Sequence, residues 1–389
     1  MRILLTTQPA YGHFHPLLPL AAAARDAGHE VVFASSALFG PVIQAAGYRS
    51  VPAGLDWLLT DKATMPAELK AAPDSTLEVF FAQQFVTATA ERLARDVIAA
   101  APAWRPDVIV RERNEFGGAI AGDVLGVPVA TVQVASPSLL TPMMLAAMEG
   151  PYNRARRALG LAPDEGLHAL EAQLVFCFAP PSLHDPTVPL PRNLMSFRPA
   201  AHDGADTASL PDWAEPLGRE RPLIYATLGT VFNNPSYELP FFPAVLEGLR
   251  EQDVDLVITV GPNVDPAYLG PQPASVHVER YMPQGLLFPL CSVIVFHGGY
   301  GTLLAAIEHA VPVIVVPFGA DQPINARAVE RLGIGRVIEE EALTADRMQE
   351  AVASLLAEPE WKSRMQAVRD ETAALPTATD AVDRLERLV

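Results

Sequence analysis

The chain has 389 residues, half of them hydrophobic and 19% charged, and its 45 acidic and 28 basic side chains leave a net charge of −17. That composition supplies core for two or three domains and excludes general disorder. So acidic a surface repels nucleic-acid phosphates and anionic lipid, and neither is expected as a partner. Cys177 and Cys291 are too far apart in sequence for a zinc ribbon or a redox pair, and read as buried thiols in a reducing cytoplasm.

In chain order, residues 2–7 read as a buried strand, 16–27 as a helix ended by Gly28, 30–35 as a second strand and 38–46 as a helix stopped by Gly47. The opening segment is not expected to be a signal peptide, because Gln8, Pro9 and Gly12 interrupt a short apolar run. A strand at 107–110, a helix at 116–125 and a strand at 127–132 follow. Residues 124–148 carry no charge, but Pro128, Pro137 and Pro142 favour a buried strand and an irregular loop over a membrane helix. Residues 198–221, rich in Pro, Ala, Asp and Gly, read as a linker. Alternation then resumes, with strands at 223–227, 254–260, 292–296 and 311–315 and helices at 237–252, 302–309, 322–332 and 344–357. The last stretch, 360–389, reads as helix broken at Pro376. Strand–helix alternation in two blocks predicts two doubly wound α/β halves with a cleft, ligands binding at the carboxyl ends of the strands.

The richest local signal is the run His297-Gly298-Gly299-Tyr300-Gly301-Thr302 between a strand and a helix. Glycines there let a ligand approach the backbone, and a helix N-terminus offers N–H groups and positive potential, which suits a diphosphate. A tight turn with a capping Thr and a structural His explains the same residues. Asp321 and Gln322 follow another apolar strand, as a pair for vicinal sugar hydroxyls or with Asp321 as a helix cap. Tyr281, Met282 and Gln284 follow a third strand, where an aromatic ring can stack on a base or fill the core. His13 lies in the loop after the first strand and has the chemistry of a general base, and equally that of a hydrogen-bonded loop residue.

Taken together these segments resemble family 1 glycosyltransferases, most closely the microbial branch that decorates antibiotics and other natural products. Tyr281-Met282-Pro283-Gln284 stands where the family has Trp-x-Pro-Gln, and His-Gly-Gly-x-Gly-Thr and Pro-Phe-x-x-Asp-Gln follow in order. Gly12-His13-Phe14-His15-Pro16 is similar to the family's first loop, and Ala226-Thr227-Leu228-Gly229-Thr230 to its small-residue phosphate loop. The resemblance covers essentially the whole chain. It implies the GT-B fold: an acceptor-binding domain at 1–205, a linker at 206–220, a nucleotide-sugar-binding domain at 221–372 and a terminal helix, 373–389, returning to the first domain.

The resemblance also assigns roles. His297, with Gly299, Tyr300, Gly301 and Thr302, contacts the diphosphate, and Thr230 meets it from the facing loop. Tyr281, the Met282 backbone and Gln284 take the nucleotide end, and Asp321 and Gln322 the sugar. His13 deprotonates the acceptor hydroxyl with Glu112 as its partner and Glu115 as the second candidate, while His15 is left a structural or substrate-contact role. Relatives with uridine donors carry a Glu eight residues after the His, where this chain has Ala305. That departure points to a dTDP-sugar. The expected reaction is an inverting transfer to a small hydrophobic acceptor contacting 55–85 and 136–148, without metal or cofactor, in the cytoplasm, with a homodimer as the default assembly. Rival readings of the same fold are a nucleotide-sugar epimerase and a non-catalytic nucleotide-sugar-binding auxiliary protein; an NAD-dependent oxidoreductase ranks last, since the first loop lacks the glycine fingerprint.

Overall fold

The computed structural model describes residues 1–70, 75–171, 173–200, 209–233, 239–261 and 264–389. The chain forms two compact units: Met1–Phe178 with Pro186–Ala200 and Pro376–Val389, and Ala179–Asp185 with Ala201–Leu375.

The sheet of the first unit has seven strands, β1 (Arg2–Thr6), β2 (Glu30–Ser35), β3 (Arg49–Pro52), β4 (Val108–Glu112), β5 (Val129–Gln133), β6 (Leu174–Cys177) and β7 (Leu194–Ser196), in the order β3-β2-β1-β4-β5-β6-β7. Its helices are α1 (Tyr11–Phe14), α2 (Leu18–Asp26), α3 (Gly40–Ala45), α4 (Leu77–Ala82), α5 (Ala90–Trp104), α6 (Gly117–Leu125) and α7 (Pro142–Ala158). Every strand pairing is parallel. Such sheets are covered on both faces, which is why β1 and β4 read as continuous apolar runs.

The second sheet has six strands, β8 (Leu223–Thr227), β9 (Asp255–Thr259), β10 (Val276–Glu279), β11 (Cys291–Phe296), β12 (Val313–Val315) and β13 (Gly335–Val337), all parallel, in the order β10-β9-β8-β11-β12-β13. Its helices are α8 (Phe241–Leu249), α9 (Gln284–Leu287), α10 (Tyr300–Glu308), α11 (Gln322–Leu332), α12 (Ala345–Ala357) and α13 (Glu360–Ala373). These are two Rossmann-like folds. In each, the chain reverses its direction of travel across the sheet between two central strands: β1 and β4 in the first, β8 and β11 in the second. Loops leaving the carboxyl ends of such a pair diverge and leave a crevice, the usual ligand position in open parallel sheets.

Several expected boundaries shift. The helix expected at 237–252 begins, as α8, at Phe241, and residues 237 and 238 lie outside the described residues. Within the linker read at 206–220, residues 206–208 lie outside them, while Ala214 and Leu217 are buried. The stretch after β5 is not irregular throughout: Pro142 is the first residue of α7, whose Thr141 caps the Met144 N–H. A segment between β6 and β7 belongs to the second unit. Arg331 of α11 donates to the Ser182 carbonyl at 3.0 Å and the His184 carbonyl at 2.9 Å, and the Glu371 carboxylate accepts from the Ser182 N–H at 3.1 Å.

The last helix, α14 (Ala378–Glu386), packs on α2 of the first unit, with a capping box at Thr377 and Asp380. Its Ala381, Val382 and Leu385 join the core built on Ile3, Leu17 and Phe33. Leu385→Ala therefore costs about 2–5 kcal/mol, as for other fully buried leucines, and lowers the denaturant midpoint of the first unit. An unchanged midpoint would mean that α14 does not contribute to that core.

Candidate functional site

The first cluster lies where β1 and β4 end. Phe14, buried against Phe33 and Phe39, anchors the short helix α1. His13, one residue earlier, keeps a side chain 12% exposed and packs near Phe85. Its Nδ1 lies 2.9 Å from Oε1 of Glu112, the last residue of β4 and a fully buried carboxylate. The Asn114 N–H donates to Glu112 Oε2 at 2.6 Å, and the Gln8 N–H approaches Oε1 at 3.4 Å. A carboxylate at Nδ1 keeps a proton on that nitrogen, so Nε2 becomes the basic position.

Charge in this segment does not mark a solvated surface: Arg111 and Glu112 at the end of β4 and Arg113, Asn114 and Glu115 in the turn that follows are all buried. Arg111 donates to the carbonyls of Arg113 and Glu115, each at 2.8 Å, and to that of Leu170 at 3.2 Å. Glu115 is not beside His13. Its carboxylate accepts from the Thr6 hydroxyl and from the N–H groups of Gly117 and Gly118 at the start of α6, and burial raises its pKa to about 7. The structure thus brings His13 to Glu112 and gives Glu115 a separate, local set of partners. His15 meets the Tyr11 ring edge-on and lies tilted against Phe14.

The second cluster lies where β8 and β11 end. Gly298 has φ +96°, and a Cβ there would sit 2.9 Å from Val315 Cγ1, so this position needs glycine. Gly299 then caps α10 without a side-chain hydrogen bond. The first N–H groups of a helix have no intrahelical partner, so those of Tyr300 and Gly301 are positioned for an anion. Thr302 is the third residue of the helix rather than its cap, and its hydroxyl accepts from Gln284 Nε2 at 3.4 Å.

His297 is buried beneath this turn. A Cβ on Gly229 would fall 2.7 Å from its Cε1, and a Cβ on Gly299 would fall 2.6 Å from its Nε2. That edge of the ring is open only because both neighbours are glycine. Burial pushes the pKa of His297 down to about 4, with the Thr227 backbone only partly offsetting it, so the imidazole is neutral and a donor rather than a cation. A chain of buried hydroxyls supports the facing loop. The Tyr225 OH lies 2.6 Å from Thr259 Oγ1, Thr259 Oγ1 donates to Thr227 Oγ1 at 2.9 Å, and Thr227 Oγ1 accepts from the Gly229 N–H at 3.1 Å. Asn233 closes the loop by donating to the Gly229 carbonyl at 2.6 Å. Thr230 is exposed beside it.

Asp321 does not cap α11 with its side chain. Its carboxylate instead accepts from Asn325 Nδ2 at 2.9 Å. Gln322 is almost wholly buried, and its Oε1 accepts from the N–H groups of Phe318 (2.8 Å) and Gly319 (3.1 Å), which leaves its amide nitrogen as the end available to a ligand. Tyr281 is 54% exposed at the end of β10 and so not a core residue, whereas Met282 is buried. Asn325, Asn233 and Thr259 carry no role expected from the sequence, and Thr227 only its place in the phosphate-loop segment. The Thr pair ends two adjacent strands with polar residues, which was the available signal.

Comparison with known proteins bears on the family of the whole chain. The family models described as erythromycin biosynthesis protein CIII-like match the chain twice, the N-terminal domain over residues 22–229 and the C-terminal domain over 243–388. A 10-deoxymethynolide desosaminyltransferase of Streptomyces venezuelae is 29% identical over 100% of this chain and 97% of its own. An L-demethylnoviosyl transferase of Streptomyces niveus is 30% identical over 97% and 95%. Among solved structures, the glycosyltransferase VinC in complex with dTDP superposes with a TM-score of 0.83 at 27% identity, over 100% of this chain and 99% of that one. The two sheets and these matches define a GT-B glycosyltransferase of the natural-product branch of family 1. The chain belongs to the erythromycin biosynthesis protein CIII-like family.

Gly299 has an ordinary φ of −61°, so Gly299→Ala acts by sterics rather than backbone strain. It is expected to displace the His297 ring and weaken dTDP binding, measured by calorimetry, by about tenfold or more, the scale of a lost hydrogen bond to a charged group. Unaltered affinity would remove the ring from the binding site. A lowered histidine pKa also has a sign: the folded state resists the proton, so stability is full above about pH 6.5 and is lost as pH falls toward 4. By pH 5 this amounts to roughly 2 kcal/mol, which His297→Gln should abolish in a melting series from pH 7 to 5.

Proposed function

We propose that the chain transfers a sugar from a dTDP-activated donor to a hydroxyl of a small hydrophobic natural product, in a single inverting displacement with His13 as general base and Glu112 as its positioning partner. The observation that carries this reading is the 2.9 Å contact between His13 Nδ1 and a fully buried Glu112 carboxylate. An alcohol is a poor nucleophile until its proton is taken as it attacks, and an imidazole whose Nδ1 is held by a carboxylate does this at Nε2. A carboxylate within 3 Å also stabilises the imidazolium that forms.

The leaving group is a nucleoside diphosphate whose charge grows as the glycosidic bond breaks. Neutral His297 and the N-terminus of α10 meet that charge with donors already oriented, so the reading calls for no metal or cofactor. The choice of dTDP rests on Ala305. This residue is half-buried in the second turn of α10, where relatives with uridine donors carry the Glu that holds the ribose hydroxyls. A relative described as TDP-daunosamine transferase DnrS, 28% identical, and the dTDP complex of VinC agree with that choice.

The acceptor side is apolar. Trp57, Phe81, Phe85 and Met144 are buried, whereas Leu77, Val79, Phe80 and Met143 on α4 and α7 stay exposed. Those exposed side chains suit a hydrophobic aglycone.

The test is a transfer assay with paired dTDP- and UDP-hexoses and a panel of aglycones. His13→Ala should lower transfer by about 10²-fold or more while dTDP affinity stays within about threefold, and Glu112→Gln should follow it in direction. The product should carry the opposite anomeric configuration to the donor, and dTDP-sugars should outperform UDP-sugars. Near-normal transfer by His13→Ala, retained configuration, or consumption of donor without any acceptor would each contradict the proposal.

A further inference from the structure

Asn325 sits one turn into α11, on the same face as Asp321, and is 2% exposed. Its Nδ2 donates to the Gly298 carbonyl at 2.8 Å and to Asp321 Oδ2 at 2.9 Å. Both partners are acceptors, so the amide orientation is unambiguous: with the oxygen in that place, two bonds would become two repulsions. An amide nitrogen has two hydrogens, and both are used here.

The two partners belong to different parts of the donor site. Gly298 is the left-handed hinge of the turn whose next residues present N–H groups to a diphosphate. Asp321 belongs to the pair assigned to the sugar. Gln322, packed under Gly298 with its Cβ 3.3 Å from the position a glycine side chain would take, fixes the same turn from below while holding the Phe318 and Gly319 N–H groups. The peptide carbonyl of residue 298 and the carboxylate of residue 321 thus share one rigid donor.

We infer that Asn325 is a positioning residue that couples the diphosphate turn to the sugar-binding carboxylate, so that a diphosphate seated at 299–302 also sets the orientation of Asp321. This rests on the donor-site reading given above. Asn325 touches neither phosphate nor sugar in this account; it acts through Gly298 and Asp321. A nucleotide without any sugar would therefore still order the sugar end of the site, and recognition of the sugar would follow engagement of the diphosphate.

Hydrogen exchange with dTDP as the probe separates this from a merely structural role. In the wild-type chain, saturating dTDP should slow exchange both at 299–303 and at 318–325. In Asn325→Ala the slowing at 299–303 should persist, while that at 318–325 should fall by about threefold or more, because the bond that relays it is gone. Should Asn325→Ala not fold, Asn325→Ser, which can keep one of the two bonds but not both, should show the same selective loss. Equal protection of 318–325 in wild type and variant overturns the coupling, as does a wild type protected at 299–303 alone. Absence of any protection at 299–303 in the wild type would instead overturn the diphosphate site itself. A double-mutant cycle adds a check: in an Asp321→Ala background, Asn325→Ala should have little further effect on the dTDP-induced protection of 318–325, and additive losses would contradict the coupling.

Discussion

Burial of one neutral imidazole between two glycines is the constraint on which the donor side of this molecule depends. His297 leaves β11 at the point where the second sheet changes direction, and it fits there only because positions 229 and 299 lack side chains. The same burial that keeps the ring uncharged gives it a fixed orientation, which a solvent-exposed histidine would lack. Behind Gly229 stands a column of hydroxyls from Tyr225, Thr259 and Thr227, a polar network inside an otherwise apolar sheet. Such networks are costly unless fully paired, and this one is paired from strand to loop.

The first unit solves a similar problem with different chemistry. His13 and Glu112 are 99 residues apart, and the adjacency of β1 and β4 brings them together. Here too the pair lies at the carboxyl ends of the two strands between which the sheet changes direction. The charged turn from Arg111 to Glu115 is then not decoration on the surface. Arg111 donates to four backbone carbonyls, those of Glu112, Arg113, Glu115 and Leu170, which holds the turn that holds Glu112. Mutating that arginine would act on the histidine through two intermediaries.

Much of this was legible in the sequence, for physical reasons. Long buried parallel strands such as β1, β8 and β11 declare themselves as apolar runs, and the glycine-rich turns that follow declare a close approach of backbone to ligand. The short strands β3, β6, β7 and β13 did not, because three or four residues give no period to count. Helix α5 escaped notice although its apolar stripe is regular, since Pro102 near its end reads as a breaker. The burial of residues 111–115 was illegible because charge in a turn ordinarily signals solvent, and only the paired geometry reverses that expectation. Asn325 carried no signal of its own: its two bonds join segments 27 and 4 residues away, and only a fold can show them on one nitrogen.

On the proposed donor site, the pyrophosphate of a nucleotide sits on the N-terminus of α10 against the open edge of His297. A crystal structure of the chain with dTDP tests it most directly. Phosphate oxygens are expected within hydrogen-bonding distance of His297 Nε2 and of the Tyr300 and Gly301 N–H groups. A nucleotide bound elsewhere, or one whose phosphates turn away from that ring, would contradict it.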